Sequence, residues 1–150
     1  MTNKPKHIWS VLCRESSIDK DSNVLSLHGV FEQLGIHKEQ VERAKEQKKE
    51  DTVTLPINLE LVNMWEREGP EKTTIEAKIV ALDPHGTKLF EKEYPVTIEQ
   101  GKRRTRFRMK MNGLKITCAG TYLFKVAMRE NKGGAFRTVA ALPLEVRFTE

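Results

Sequence analysis

The sequence predicts an all-β fold of two stacked antiparallel layers, and three observations lead there. Apolar residues recur at every second position through most of the chain, the period of a strand with one face buried. Turn-forming clusters break that pattern at roughly the 8–12-residue spacing typical of sandwiches. Only one stretch, residues 37–51, has the composition of a helix. About eight strands result.

The first strand is read at 7–14, HIWSVLCR, where Trp9, Val11 and Cys13 alternate with Ile8, Ser10 and Leu12, after a polar tail over residues 1–6. A second covers 24–35, with Leu25, Leu27 and Phe31 on one face. Gly29 marks a bulge or a close backbone approach within it. In 37–51, eleven of fifteen residues are charged or histidine, and Val41 and Ala44 are the apolar ones. So narrow a stripe buries little, which predicts a mobile loop or a loosely docked helix inserted between strands.

The β pattern resumes with Leu55, Ile57, Leu59 and Leu61, and again with Ile75, Ala77, Ile79 and Ala81, the latter closed by the turn Asp83-Pro84-His85-Gly86. Segments 89–99 and 102–111 flank Gln100-Gly101, which reads as a two-residue hairpin loop. Pro95 places the first of them at a sheet edge, since it cannot donate to a ladder. Segment 121–129, the glycine-rich turn 131–134 and a last strand over 136–148 complete the chain.

At 150 residues one domain is expected, large enough to need no disulfide or metal staple. Hydrophobic residues at 38% against 31% charged suit a thin fold with wet outer faces. The formal net charge of +5 carries information only where cations cluster. No window approaches the roughly 20 apolar residues needed to cross a bilayer, and Cys13 and Cys118 lack metal-ligand spacing. A cytoplasmic protein with reduced thiols and no membrane association is expected.

Tyr122, just past Gly120 and at the start of a strand, predicts a tyrosine corner. Its ring folds over a crossover between sheets, and its hydroxyl satisfies a connection carbonyl, as in immunoglobulin-like sandwiches. A plain glycine turn followed by a half-buried tyrosine is the alternative. The segments WSVLC, NVLSLHGVFEQL, VALDPHGTKLFE and AGTYLFKVAMRE with LPLEVRF together resemble a family of small uncharacterised bacterial immunoglobulin-like β-sandwich proteins, over residues 8–148 except 37–51. The resemblance implies an immunoglobulin-like antiparallel β-sandwich and a bacterial cytoplasmic setting. It carries over no catalytic residue.

Lys102, Arg104, Arg106, Arg108 and Lys110 alternate along one strand and form one basic row, a candidate surface for phosphates of nucleic acid or another polyanion. If Gln100-Gly101 is a hairpin loop, Glu93 lies across from Arg108 and Glu91 across from Lys110. The row is then a partly neutralised, solvated face. Asp19-Lys20-Asp21-Ser22-Asn23 begins like a calcium loop, but Val24 and Val30 stand where that loop needs glycine and a bidentate glutamate, so a polar hairpin turn is preferred. The four histidines show no metal-ligand spacing, and no nucleophile elbow or phosphate loop is present. No cofactor and no metal are expected.

A non-enzymatic binding or assembly module follows, with a protein partner or a second copy of the chain as its partner. Val62, Met64, Val80 and Leu82, apolar on faces expected to be outer, are the candidate partner surface. The alternative is that the charged insertion covers them. Weak polyanion binding through the basic strand is the second reading. A hydrolase or metal-dependent site assembled from Asp19, Asp21, Asp83 and His85 is the third.

Overall fold

The computed structural model describes residues 4–49 and 52–150. Among them are nine strands and one helix: β1 (Pro5–Ile18), β2 (Leu25–Val30), β3 (Gln33–His37), α1 (Lys38–Lys48), β4 (Val53–Arg67), β5 (Thr73–Leu82), β6 (Lys88–Ile98), β7 (Arg104–Ile116), β8 (Gly120–Arg129) and β9 (Arg137–Thr149). They form a four-stranded sheet ordered β2-β1-β4-β7 and a five-stranded sheet ordered β3-β9-β8-β5-β6. The all-β expectation holds. The first three residues of the expected tail, and residues 50 and 51 of the expected insertion, lie outside the described residues.

Alternation sets which side of each strand is buried. Ile75, Ala77, Ile79 and Ala81 of β5 face the core with Tyr122, Phe124 and Val126 of β8, and they meet Leu59, Leu61, Trp65 and Ile116 of the other sheet. Burying each such large side chain contributes about 1.5–3 kcal/mol, so the shared core holds the two sheets together.

Three expectations need correction. The second expected strand is two: Phe31 N still donates to Leu12 O of β1 (2.9 Å), while Glu32 O already accepts from Glu145 N of β9 (3.0 Å). The chain therefore changes sheets between these neighbours, and β3 runs parallel to β9. Periodicity survives such a crossing, which is why one strand was read. The tail is also shorter than six residues, because Pro5 is buried and β1 pairs with Arg67 from there.

The third correction concerns Gln100-Gly101. A turn forms there, with Lys102 N donating to Glu99 O (3.0 Å), but it carries the chain from one sheet to the other. β6 pairs with β5 and β7 with β4. Glu93 therefore stands opposite Lys78, and Glu91 binds Lys88 (3.1 Å) and Lys78 (3.4 Å). Hydrogen bonds from Lys88 and then Lys78 hold the Glu91 carboxyl below its ordinary pKa. The expected edge position of Pro95 holds, since β6 closes the five-stranded sheet.

The charged insertion forms a docked helix. Val41 of α1 is buried in the core cluster with Ala44 beside it, and Lys45 Nζ donates to Thr117 O (3.0 Å). The helix packs on β3 and β4, away from Val80 and Leu82. Two contacts, one apolar and one polar, hold a helix too polar to fold alone.

The expected corner at Tyr122 is present. Its ring is fully buried, and its hydroxyl donates to Cys118 O (2.6 Å) while accepting from Thr117 N (2.9 Å) and Cys118 N (3.1 Å). Gly120 beside it has φ +140°, and a Cβ there would meet the Pro84 ring at 2.8 Å, so only glycine fits.

A second buried layer lies outside the main core. β1 pairs with β4 as far as Cys13, and beyond it only with β2. The resulting hairpin folds back over the outer face of β4 and β7. Arg106 donates to Asn23 O (2.7 Å), Arg108 to Ser16 Oγ (3.3 Å), and Ser16 Oγ to the carboxylate of Glu60. Gly29, at φ +67°, sits so close that an added Cβ would lie 3.1 Å from Arg14 Cβ, the close approach expected there. Val62 and Cys13 lie at 0% exposure on this face. Burial first, and then the charges of Glu60 and Glu15, push the Cys13 thiol up, keeping it protonated and unreactive.

Candidate functional site

The basic row does lie on one face of β7, but its partners differ from those expected. Across the β4–β7 ladder Arg108 stands opposite Val62, Lys110 opposite Glu60 and Arg104 opposite Glu66. Arg103 and Arg104 approach Glu66 at 3.6 Å each, and Lys110 approaches Glu60 at 4.0 Å. Arg106 and Arg108 are used in holding the β1–β2 hairpin. The neutralising carboxylates come from β4, and the hairpin adds uncharged acceptors. What stays accessible is a polar groove of about 590 Å³ lined by Lys102, Arg103, Arg104 and Arg106, with Glu99 at its edge. Arg103 and Arg104 remain 71% and 64% exposed there. Exposed pairs at such distances contribute at most about 1 kcal/mol, so these two guanidiniums can be drawn off by a competing anion.

The four apolar residues expected on outer faces separate into two groups. Val62 is buried under the β1–β2 hairpin and so covered within the chain, while Met64 is half-buried and lines the polar groove with Arg104 and Arg106. Val80 and Leu82 lie half-buried on the outer face of the five-stranded sheet. The ladder extends them into a patch: Leu82 stands beside Leu123, Leu123 beside Pro143, and Val80 beside Lys125, which stands beside Ala141. α1 packs elsewhere, on β3 and β4, and Val30 of the hairpin borders the patch at its Pro143 end. Leu123 and Pro143 were missed from sequence because each joins the patch only through strand pairing. On its flank the Phe136 ring lies between Lys78 Nζ and the Arg129 guanidinium, each 4.3 Å from its centroid.

Strands β6 and β7 face one another across the open side of the molecule. Tyr94 of β6 and Phe107 of β7 stack at 3.7 Å and close its middle. Beyond them, towards Phe90 and Met111, an apolar cleft of about 270 Å³ opens between the sheets. It is walled by Leu89, Phe90, Met109, Met111, Leu114 and Phe124. Lys92 stands opposite the fully buried Ile79 and so occupies an inward position of β6 at the cleft.

The loop residues considered for catalysis do not converge. Asp19 Oδ1 accepts from Asp21 N (2.9 Å) and Ser22 N (2.8 Å), closing the β1–β2 turn as the polar hairpin turn expected. Asp83 instead ties the β5–β6 turn to Thr117, through Thr87 N (2.8 Å), His85 N (2.9 Å) and Thr117 Oγ1 (3.0 Å). Burial alone would raise the Asp83 carboxyl, but those hydrogen bonds outweigh it and hold it below the ordinary range. The first turn lies beside Arg106 and the second beside Thr117, at opposite ends of β7. Among the described residues no group of three or more His, Cys, Asp or Glu is placed to hold a metal ion.

One serine–histidine pair was not foreseen. His7 Nε2 lies 2.7 Å from Ser10 Oγ, which donates to Asn63 Oδ1, and Asn63 Nδ2 donates to Tyr94 Oη (3.0 Å). The donor in the His7–Ser10 contact follows the imidazole tautomer, and among the described residues no carboxylate is hydrogen-bonded to His7 to orient it as a base. Burial holds the His7 ring below its ordinary pKa against a smaller opposing effect of a backbone bond with Trp9. The unfolded chain therefore binds a proton first as pH falls. Stability should be full above about pH 6.5 and decline below it towards the depressed folded value. Urea unfolding between pH 5 and 8 should show this slope reduced in His7→Gln, and an unchanged slope would exclude His7 as its source.

No family model matches the chain, and no curated protein matches it. No helix among the described residues is long and apolar enough to cross a membrane.

Proposed function

We propose that the protein is a non-enzymatic binding or assembly module that docks a protein partner on the outer face of its five-stranded sheet. The carrying observation is the uncovered patch of Val80, Leu82, Leu123, Ala141 and Pro143. Of the corresponding apolar residues of the other sheet, Val62 is sheltered by the chain's own hairpin and Met64 lies among the cations of the polar groove. The separation of Asp19 and Asp21 from Asp83 and His85, at opposite ends of β7, favours this reading over a hydrolase. An immunoglobulin-like ancestry for the two-sheet fold is supported by the Tyr122 corner, with the parallel β3–β9 pair as this chain's departure from antiparallel pairing. A bacterial cytoplasmic setting fits two free cysteines.

A photoreactive residue at Ala141 should capture one discrete partner in cells. Leu123→Glu should reduce that capture at least about 30-fold, the loss of one interface anchor worth roughly 2 kcal/mol, while leaving folding within about 0.5 kcal/mol. Capture unaffected by Leu123→Glu would remove this face from consideration. Light scattering then divides the two kinds of partner, since a monomeric mass at high concentration assigns the face to a different protein.

Weak polyanion binding is a second reading, supported by the exposed Arg103 and Arg104 at the polar groove. Oligonucleotide titration at low salt should then give micromolar or weaker binding that falls steeply with added salt.

A further inference from the structure

We propose that the cleft between β6 and β7 is a ligand site for a small anionic amphiphile, a straight-chain monocarboxylate of medium length whose chain enters between the sheets and whose head meets Lys92. The site lies between the sheets, apart from the outer face that docks a partner.

Composition of the walls sets the chemistry of the chain. Leu89, Phe90, Met109, Met111, Leu114 and Phe124 offer apolar surface with few polar groups, which suits a hydrocarbon and leaves a polar ligand's hydrogen bonds unmet. Two of the six are methionines, whose unbranched thioethers adjust to irregular guests. At about 270 Å³ the cleft is at the small end of ligand pockets, which run from roughly 300 to 1,000 Å³, so a single chain fits and a multi-ring ligand does not.

Charge at the mouth sets the head group. An inward position on a strand normally carries an apolar side chain, as Ile79, Tyr94 and Val96 do around it, yet here it carries Lys92. Among the described residues Lys92 has no ion-pair partner, whereas Lys78 and Lys88 nearby share Glu91. Lys110 and Lys115 also border the cleft, but they alternate outward along β7, Lys110 opposite Glu60 at 4.0 Å and Lys115 opposite the exposed Thr54. The Lys92 ammonium at an apolar opening attracts an anion and leaves a cationic or neutral head unrewarded.

An added β-strand fits this opening less well. An inward lysine and a proline on β6 are both devices that block strand addition at an edge, and Gly113, at φ +107°, bends β7 where a partner strand would have to run straight.

The test uses the full chain with hexanoate, octanoate, decanoate and decanol, read by calorimetry and by methyl NMR of Met109 and Met111. Each step of two methylenes should tighten binding about 15-fold, from roughly 0.8 kcal/mol per buried methylene, until the cleft is filled. Decanol should bind about tenfold or more weaker than decanoate, the loss of one charge-assisted contact. Lys92→Met should erase the acid–alcohol difference while retaining chain-length dependence, whereas Lys125→Met on the outer face should leave both unchanged. Met111→Trp should fill the cleft and abolish binding. Lys92 is exposed, so its variant is expected to fold and decides the matter even if Met111→Trp does not. Equal affinity for acid and alcohol, persistence of their difference in Lys92→Met, absence of chain-length dependence, or unmoved methionine methyls would each overturn the proposal.

Discussion

Replacing Arg67 with methionine should cost about 3–5 kcal/mol of stability, one of the two largest effects expected of a single substitution in this chain. Arg67 closes β4 at 0% exposure, and among the described residues its guanidinium has no carboxylate partner. It donates instead to the carbonyls of Gly69 (3.1 Å), Ile98 (3.1 Å), Glu99 (3.3 Å) and Lys102 (2.5 Å) and to Thr73 Oγ1 (3.2 Å). These acceptors belong to both connections at that end, the loop from β4 to β5 and the crossing from β6 to β7. Methionine fills the volume but leaves buried carbonyls unpaired, each worth about 1–3 kcal/mol, with water recovering part of the loss.

For a domain of this length the penalty corresponds to a melting point lower by about 6–20 °C. Arg67→Lys should also be costly, because one ammonium cannot span acceptors that a planar five-donor fork reaches together. Amide exchange should accelerate at residues 99–103 in both variants. A methionine variant within 1 kcal/mol of the parent protein would show that the guanidinium does not hold the crossing.

Tyr122→Phe should cost about 2–4 kcal/mol, although it removes one oxygen atom. That oxygen serves three backbone groups, Thr117 N, Cys118 N and Cys118 O, on the connection that turns β7 into β8. Few substitutions strand three polar groups at once, and those groups lie where the chain passes from one sheet to the other. Near-neutral behaviour in thermal unfolding would mean that water replaces the hydroxyl fully. Thr117 also anchors Asp83 and receives Lys45 of α1 through its carbonyl, so loosening the corner should raise exchange in the helix as well.

Local chemistry was legible in the sequence wherever it acts between near neighbours. The Asp19 and Asp83 turns, the glycine-rich turn joining β8 to β9 and the Tyr122 corner all depend on groups a few residues apart, and each was foreseen. So was the one-sided burial of β5, because the side-chain period is two, whereas β4 is buried on both faces once the hairpin covers Val62. The partners of the basic row were misread for the opposite reason. Adjacency in sequence suggested that β6 pairs with β7, whereas Glu60 and Glu66 of β4 lie more than thirty residues away from the cations they meet. Arg67 gave no signal either, since an arginine ending a strand looks like any solvated cation until five acceptors are brought around it.

What the residues alone determined, then, is an all-β chain of alternating strands, its turns, its corner tyrosine and its cationic row, all consequences of local stereochemistry and a burial period of two. Tertiary structure alone decided which strands share a sheet, that a hairpin covers Val62 while Leu82 gains Leu123 and Pro143 as neighbours, and that β6 and β7 part to open a cleft beside Lys92. Those outcomes depend on which of several compatible strand pairings encloses the largest common core, a comparison made over the whole chain at once.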